Sequence, residues 1–554
     1  MAFAPFFCDN KSMKNSIDLS ALSREELEKE YIKLHAEYES AMAKVNWYTE
    51  QYELSRARMF GRSSESGIAG QMSFEDLMLF NEAEALRDPI HIEPKVEDVI
   101  PAENQNKKHR GKPKKNISRL PLVTDVYELS PQEQICPTCG APLHEMKEKV
   151  YVEIEVLPAT VRVHKHITKV YACRNCDSNG SGTIIEAEGA PKPVIEKSLA
   201  GASLIADFMS KKYVDALPYY RQEKDYERLG IPVTRNNMCN WSIQVANLYF
   251  KPLIEKMRQV MYSDHVIHCD ETTVEVLREP DRPASTTSYI WVTTTAETQA
   301  EHPAAIYNYT QSRSSTDARK VLSGYTGYIM CDGYAGYDAL TKTGKNGEPP
   351  MDVQPVACMV HVRRKFVEAL KVVEPKHRED TGANTAIKML AELFHIDNQF
   401  SGLPKEEREK KRLEYLQGPF GDFFAWVKSE YDQTLPKSKY GQALEYTIKQ
   451  EHKARRIFED GRLELDNNLA ERTVKPFVIG RKNWLFSNTS AGADASCMIY
   501  SIVESAKLNG LVPYEYIKYL LETMPGKRLT DEFIQSLMPW SKTIPGYVRK
   551  PIEE

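Results

Sequence analysis

The sequence VIHCD at residues 266–270 is a short, mostly apolar run that ends in a carboxylate, and YIMCD at residues 328–332 repeats this pattern. A further strand-like run at 353–360 leads into a basic helix start. Between the two acidic runs the sequence alternates between strand-like and helix-like stretches, at 289–295, 304–309 and 315–322. Alternation of this kind is typical of a mixed α/β core.

The order of these elements indicates how the acids come together. Three strands, a helix and more strands, with an Asp on the first and on the fourth strand, is the order of an RNase-H-like fold. In that arrangement the first and fourth strands lie side by side. The sequence therefore predicts that Asp270 and Asp332 lie at neighbouring strand ends, within reach of shared metal ions.

Phosphodiester cleavage is a reaction that such acids support. It requires activation of water or of a 3′-hydroxyl and neutralisation of the charge of an in-line displacement. Two hard cations about 3.5–4 Å apart do both, and each prefers oxygen ligands. A third carboxylate, usually from a helix, completes the site. The candidate is Glu471, on a predicted helix that Asp466 can cap.

Carboxylates are abundant in this chain, which has 78 Asp and Glu residues, so an arbitrary one is more often a solvated or salt-bridged side chain than a ligand. Placement at strand ends favours Asp270 and Asp332. Spacing alone does not separate Glu471 from the other candidates, which are Asp264, Glu271, Asp338, Glu464, Asp466 and Glu504.

Two Cys-x-x-Cys pairs, Cys136 with Cys139 and Cys173 with Cys176, offer four thiolates on two tight turns. Four thiolates suit the tetrahedral geometry of structural zinc, and the alternating stretches between the pairs fit a zinc ribbon. Chance pairs or a redox site are the alternatives, but redox motifs usually come singly beside a βαβ unit. We therefore predict a closed, structural Zn²⁺ site.

A helix-turn-helix is predicted further along the chain. Residues 217–229 read as a helix that the sequence GIPV at 230–233 ends, and Thr234 can cap a second helix. This is how a recognition helix is presented to the major groove, where Arg235 and Asn236 would meet base edges or phosphates. An ordinary helical hairpin within a bundle is the alternative.

Two other segments carry candidate contacts with nucleic acid. A basic run at 107–115 lies in a Pro-containing linker, and a solvated tether is its simpler interpretation. The sequence GRKNWLF at 480–486 combines cations, an amide and an aromatic ring, which suits phosphate contact and base stacking, although a surface turn with a buried Trp would look the same. The predicted contact residues of these segments are Lys112, Lys114, Arg481, Lys482 and Trp484.

The two remaining regions are predicted to be helical. Residues 18–60 repeat apolar and tyrosine side chains every seven residues over about four heptads, which fits either a short coiled coil or an amphipathic helix packed on its own protein. Residues 372–458 are rich in helix formers and read as an insertion.

Composition excludes several classes of protein. The net charge is −5, so the chain is not a uniformly basic nucleic-acid coat, and its 41% hydrophobic and 27% charged residues are ordinary for a globular protein. Ten cysteines in 554 residues argue against a disulfide scaffold. No run approaches the roughly 18 apolar residues of a membrane helix, and no signal peptide is predicted.

Several short motifs together resemble those of transposases of the insertion sequence 66 family. The resemblance covers about residues 25–520, and the block at 460–486 is highly specific. Thr473 and Lys475 depart from the family's usual residues, and no Trp follows Cys358. The matching segments are the two cysteine pairs, FGRSSE at 60–65, DET at 270–272, CDGY at 331–334, HVRRKF at 361–366, DGRLE at 460–464 and onward to Phe486, and AKLNG at 506–510.

The resemblance implies a multidomain α+β protein with an RNase-H-like α/β catalytic core, a helical insertion, a zinc ribbon, a helix-turn-helix and an N-terminal coiled-coil-like helix. It implies that Asp270, Asp332 and Glu471 form an Asp-Asp-Glu triad that binds two Mg²⁺ ions, for which Mn²⁺ can substitute. Such a protein cuts the DNA at the ends of its own insertion sequence, here called the element, and joins these ends to target DNA. Arg364 and Arg472 are expected to contact the DNA.

The resemblance also implies partners and a compartment. The expected partners are DNA of the terminal inverted repeats and of the target, further copies of the chain, and accessory proteins encoded by the same element. No membrane is expected, and the expected compartment is the bacterial cytoplasm, in association with the nucleoid.

These interpretations divide the chain into eight predicted regions. They are a helical or coiled-coil region (1–66), a linker with the basic tether (67–118), the zinc ribbon (119–188), a helical DNA-binding region (189–260), the first part of the core (261–371), the helical insertion (372–459), the last part of the core with the third acid (460–510) and a C-terminal helical tail (511–554).

Two other functions fit parts of the pattern. A DNA-binding regulator with a zinc ribbon and an inactive nuclease-like core would share the motifs. Metal-dependent strand cleavage by the purified protein would distinguish a transposase from such a regulator. A glycosidase with paired carboxylates would need neither cysteine pairs nor a basic tether.

Overall fold

The computed structural model describes residues 190–550, apart from 297–299 and 345–346, together with 161–172, 184–186 and isolated residues between 23 and 42. The chain divides into two compact units, 1–61 with 166–554 and 62–165, of which the second is described only at 161–165. Several predictions lie outside the described residues, namely the coiled coil, the basic tether with Lys112 and Lys114, and the zinc ligands Cys136, Cys139, Cys173 and Cys176.

A mixed sheet lies at the centre of the described part of the first unit. Its strands are β3 (Val266–Arg278), β4 (Thr287–Thr295), β5 (Ala305–Thr310), β6 (Gly327–Cys331), β7 (Val353–Ala357) and β8 (Ser487–Thr489). Their spatial order is β5-β4-β3-β6-β7, with β8 pairing in parallel with the far end of β3. The strands β3, β4 and β5 run antiparallel to one another, whereas β6 and β7 run parallel to β3. The two preceding strands of the described part, β1 (Val170–Ala172) and β2 (Ile184–Glu186), form a small antiparallel pair.

The prediction that the strands carrying Asp270 and Asp332 lie side by side is confirmed. The prediction that Asp270 ends its strand is wrong, because β3 continues to Arg278. Four of the five residues at 272–276 are β-branched and favour the extended chain, and β4 pairs with this segment as far as Glu275. Asp332 directly follows β6, as predicted.

Helices surround the sheet, and short 3₁₀ or π turns continue several of them. The α-helices are α1 (Ala202–Tyr213), α2 (Tyr219–Arg228), α3 (Arg235–Val245), α4 (Lys251–Ser263), α5 (Ser315–Val321), α6 (Ala335–Asp338), α7 (Met359–Lys371), α8 (Gly382–Asn398), α9 (Lys405–Lys411), α10 (Gln417–Gln433), α11 (Lys439–Ala454), α12 (Asn468–Trp484), α13 (Ser490–Leu508), α14 (Pro513–Thr523) and α15 (Asp531–Ser536). The turns are Ala246–Phe250 and Arg412–Leu416 (π), and Ala339–Thr341, Pro375–His377, Arg455–Phe458 and Gly546–Val548 (3₁₀).

Helix α13 covers the edge of the sheet at β5. The hydroxyl of Ser501 accepts the backbone N–H of Tyr307 at 2.9 Å, and the hydroxyl of Ser505 accepts that of Ala305 at 3.0 Å. An uncovered edge strand would present these amides to other chains. Almost every residue from Ala495 to Ala506 on α13 is buried, so the helix belongs to the core that contains β4 and β5.

Residues 372–459 are helical wherever they have regular structure, in agreement with the predicted insertion. Their core joins apolar residues of α7, α8, α10 and α11 to Val266, Met330 and Val356 of the sheet. A buried ion-pair cluster links the helices within this region. Asp397 of α8 accepts hydrogen bonds from Arg408 at 3.1 Å and from Arg412 at 3.0 Å, and all three residues are buried.

We predict that Asp397→Ala destabilises the helical insertion by about 3–5 kcal/mol, because it leaves two buried guanidinium groups without their carboxylate. Denaturant unfolding and hydrogen exchange in α8 to α11 measure this loss. The matched control is Glu445→Ala, which removes an exposed partner of Lys449 and should cost less than about 1 kcal/mol. Equal effects of the two substitutions would contradict the assignment of the Asp397 cluster as a structural anchor.

Candidate active site

Asp270 and Asp332 lie on neighbouring parallel strands. The last paired residues of β3 and β6 are His268 and Met330, and each Asp lies two residues further along its strand direction. Since side chains alternate across a strand, this equal offset directs both carboxylates to the same side of the sheet. The parallel pairing ends at this point, which leaves room for the acids beside the sheet.

The charges of the predicted triad act on one another. Burial raises the pKa of Asp270 well above its ordinary value, and the negative charges of Glu271, Asp332 and Glu471 raise it further. The three predicted acids therefore lie close enough for their charges to interact, although they are far apart in sequence. A site that concentrates negative charge in this way favours protons or cations.

Arg313 is a cation at this site that sequence reasoning missed. Its guanidinium forms an ion pair with Glu271 and lies 3.4 Å from the Asp332 carboxylate. It also stacks over the ring of Tyr334 at 3.7 Å, while the Tyr334 backbone N–H donates to Asp332 Oδ1 at 2.9 Å. Glu271, one of the competing acids in the sequence, is thus paired with Arg313 and accepts a further hydrogen bond from Tyr337 at 2.6 Å.

Asn467 fixes the start of α12, which carries Glu471, against β3. Its side-chain amide donates to the carbonyl of Cys269 at 2.8 Å, and its Oδ1 lies 2.9 Å from His268 Nδ1. Both groups are buried. The N-cap residue is Asn467 rather than the predicted Asp466, which precedes it and accepts the N–H of Asn468 on its carboxylate at 2.9 Å. These contacts place Glu471 on the first turn of the helix, beside Asp270.

Helix α7 brings two more side chains to Glu471. His361 Nε2 lies 3.7 Å from Glu471 Oε1, and Arg364 Nη2 donates to Glu471 Oε2 at 3.3 Å. Cys358 is the N-cap residue of this helix and is buried. Ligand atoms of Cys358, His361 and Glu471 all lie within 4.8 Å of one another. Arg364, predicted as a DNA contact, is thus bound to a triad carboxylate.

The other candidates in the core differ in exposure. Arg472 and Lys482 are exposed on α12. Arg481 instead donates to the backbone carbonyl of Thr273, and burial lowers its pKa.

Trp484 is partly buried and packs edge-to-face on Phe477, with ring centroids 5.3 Å apart. This packing agrees with the simpler interpretation of a Trp that supports the core, and its stacking on a base stays a prediction.

The predicted pair of helices before the core is present as α2 and α3. The first helix begins after Pro218 rather than at residue 217, and Gly230 adopts a φ of 73° in the turn between them. Thr234 caps α3 by accepting the N–H of Asn237 at 3.3 Å. Arg235 and Asn236 are exposed on the first turn of α3. Exposed side chains of this type can contact DNA, and that contact stays a prediction.

Comparison with family models identifies the chain. The model of the Transposase IS66 family matches residues 197–495, that of the zinc-finger binding domain of transposase IS66 matches 133–177, and that of the IS66 C-terminal element matches 501–540. The chain is therefore a DNA-processing enzyme of the transposase class, and it belongs to the IS66 family. The zinc-finger match contains all four cysteines of the two pairs, which supports structural Zn²⁺ and binding to DNA.

Curated relatives come from Sinorhizobium fredii (strain NBRC 101917 / NGR234). Uncharacterized protein y4jD is 28% identical over 454 residues, which cover 80% of this chain and 86% of the relative. Uncharacterized protein y4hP is 26% identical over 73% of both chains, and Uncharacterized protein y4qI is 27% identical over 70% of both. No solved structure matches the chain. Within the described part of the chain, no helix has the length and apolar character that crossing a membrane requires.

We predict that Asp270→Asn stabilises the zinc-loaded chain when other divalent ions are absent. The pKa of Asp270 is raised in the folded state, so its ionisation opposes folding as the pH rises above about 4. The thermal unfolding midpoint of the variant should exceed that of the parent chain at pH 8, and the difference should shrink toward pH 4.

The exposed Asp422→Asn on α10 is the control and should leave the midpoint unchanged at both pH values. A midpoint of Asp270→Asn that is equal to or below the parent's at pH 8 would show that the neighbouring acids do not strain this carboxylate.

Proposed function

We propose that the chain cleaves DNA at the ends of its element and transfers the freed 3′-hydroxyl ends to target DNA, using two divalent ions held by Asp270, Asp332 and Glu471. The single observation that carries this proposal is the placement of the acids around β3. Asp270 and Asp332 lie two residues beyond the last pair of β3 and β6, and Asn467 anchors the start of the helix of Glu471 to the Cys269 carbonyl of β3. Membership of the IS66 family supplies the class of reaction.

The sheet supports an RNase-H-like assignment of the core. Three antiparallel strands followed by two parallel ones, in the spatial order β5-β4-β3-β6-β7, place the first strand at the centre with the fourth beside it. The helical residues 372–459 enter between α7 and α12, and therefore between the second and third acids. This agrees with the insertion that the family resemblance implies.

The acids fit hard divalent ions. Carboxylate oxygens are the ligands that Mg²⁺ and Mn²⁺ prefer, and cations would offset the burial and the neighbouring negative charges that raise the pKa of Asp270. When bound, two such ions activate the attacking oxygen and stabilise the charge of the in-line displacement. The Tyr334 N–H and the side chain of Asn467 orient Asp332 and the helix of Glu471, respectively.

Cations of the chain surround the acids and would meet the phosphates. Arg313 and Arg364 already lie beside the carboxylates, at distances of 3.4 Å from Asp332 and 3.3 Å from Glu471. These guanidinium groups would bind phosphate oxygens of the DNA, for which their geometry is suited. Arg472 and Lys482 are exposed on the same helix as Glu471 and would offset further phosphate charge.

Binding of the DNA ends is assigned to two regions. The zinc finger at 133–177 and the exposed start of α3 would hold the terminal inverted repeats, while the core acts on the scissile phosphates. Cleavage of two ends and their joining to one target favours an oligomer of the chain, aided by accessory proteins of the same element. We place this activity in the bacterial cytoplasm, at the nucleoid.

We predict that Asp270→Asn, Asp332→Asn and Glu471→Gln each reduce Mg²⁺-dependent end cleavage by on the order of 10³-fold or more, because each removes a metal ligand. Gel assays on a labelled terminal repeat measure cleavage, and mobility shifts measure end binding, which should persist. Asp422→Asn is the matched acid outside the site and should cleave normally. A triad variant that still cleaves would exclude its acid from catalysis, and an inactive parent chain that binds ends would favour the regulator alternative.

We predict that Arg235→Ala or Asn236→Ala weakens binding to the terminal repeat by about 1–3 kcal/mol for each interaction with a base that the substitution removes. Fluorescence anisotropy at several salt concentrations, with repeat and scrambled duplexes, distinguishes a base contact from a phosphate contact. Lys449→Ala removes an exposed cation of α11 and serves as the control. Unchanged affinity in both α3 variants would show that α3 is a structural helix of the bundle.

A further inference from the structure

The triad acid Glu471 also belongs to a second cluster, with Cys358 and His361. A sulfur, a ring nitrogen and a carboxylate oxygen of these residues lie within 4.8 Å of one another. Two of the polar atoms are buried and have no hydrogen-bond partner among the described residues, His361 Nδ1 and Glu471 Oε1. Buried polar atoms without partners cost free energy, so their occurrence together requires an explanation.

The chemistry of this cluster differs from that of the triad. Mg²⁺ prefers oxygen ligands, whereas a thiolate, an imidazole and a carboxylate together suit a borderline-soft ion such as Zn²⁺. Three protein ligands leave the fourth tetrahedral position open, as in zinc sites that are not closed structural ones. Cys358 and His361 lie three residues apart at the start of α7, so one helix turn presents both.

We propose that Cys358, His361 and Glu471 form a Zn²⁺ site that withdraws Glu471 from the triad, so that Zn²⁺ inhibits the transposase. The metal site stands on the geometry of the cluster alone. The inhibition rests on the function proposed above, because it requires Glu471 to serve the catalytic ions.

The distances allow this site with small movements. Ligand atoms around a tetrahedral Zn²⁺ lie about 3.5 Å apart, given bonds of about 2.0–2.3 Å. Rotation of the three side chains would have to close the difference from 4.8 Å. Arg364 must release Glu471, to which it donates at 3.3 Å, and move away from His361 Nε2, which lies 3.2 Å from its Nη1.

One carboxylate serves one arrangement at a time. In the triad, Glu471 would face Asp270 and Asp332, whereas in the proposed site it turns toward Cys358 and His361. A large excess of Mg²⁺ should therefore oppose the binding of Zn²⁺ at this site.

Cobalt spectroscopy tests the metal site directly. The full chain, with its cysteine-pair site loaded with Zn²⁺, is titrated with Co²⁺ in the absence of DNA. The parent chain should develop tetrahedral d–d bands and a thiolate-to-cobalt charge-transfer band, and one further ion should bind per chain. Cys358→Ser should lose the charge-transfer band, whereas Cys239→Ser, which alters an exposed cysteine of α3, should retain it.

A second variant keeps this test independent of folding. His361→Gln keeps a polar side chain and should weaken Co²⁺ binding by about 10-fold or more while the thermal midpoint stays close to the parent's. Absence of a thiolate band in the parent chain, or its persistence in Cys358→Ser, would overturn the proposed site.

Cleavage assays test the inhibition separately. End cleavage with Mg²⁺ is measured with and without added Zn²⁺, and the ratio is compared between the parent chain and Cys358→Ser. The parent should be inhibited at Zn²⁺ concentrations at least about 10-fold below those that affect the variant. If added Zn²⁺ reduced cleavage by the same factor in the parent chain and in Cys358→Ser, the proposed inhibition would be overturned. A parent chain that binds Co²⁺ as expected but never cleaves DNA would refute the proposed function and leave the metal site standing.

Discussion

The parallel pairing of β3 with β6 is the constraint on which the rest of the active site depends. It places Asp270 and Asp332 side by side at the point where the pairing ends, and the cost is mutual repulsion between carboxylates at a partly buried location. A structure that holds like charges close together in this way favours the binding of cations beside them. Arg313 partly neutralises the acids through its ion pairs with Glu271 and Asp332, and divalent ions would do so more fully.

The third acid depends on contacts that span long stretches of sequence. Glu471 follows a helical region of the chain, and Asn467 attaches the start of its helix to the backbone and to His268 of β3. The Asp397 cluster links the helices of that insertion, so that the chain returns to the sheet from a fixed direction. The carboxylate of Glu471 then lies near the other two acids of the proposed triad and within 4.8 Å of ligand atoms of Cys358 and His361.

The sequence predicted those features that follow from periodicity. The apolar, β-branched runs predicted the order of the elements and the neighbouring strands. The helix cap at Thr234 predicted the helix pair α2 and α3. The sequence placed Asp270 wrongly at a strand end, because the pairing of β4 with the second half of β3 is a tertiary contact. Arg313 and Asn467 carry no periodic signal, and Cys358 lies in no Cys-x-x-Cys pair that would mark it as a ligand. Glu471 came from family resemblance, since spacing does not distinguish one helical acid from another.

The proposed reaction requires one pair of divalent ions that three acids from separate parts of the chain share. A crystal structure of the chain with an element end and Mn²⁺, in which anomalous scattering locates the ions, measures this most directly. We expect two peaks about 3.5–4 Å apart, each within bonding distance of Asp270, Asp332 or Glu471, beside the scissile phosphate. Ions bound elsewhere, or a Glu471 side chain directed away from both peaks, would contradict the proposed reaction.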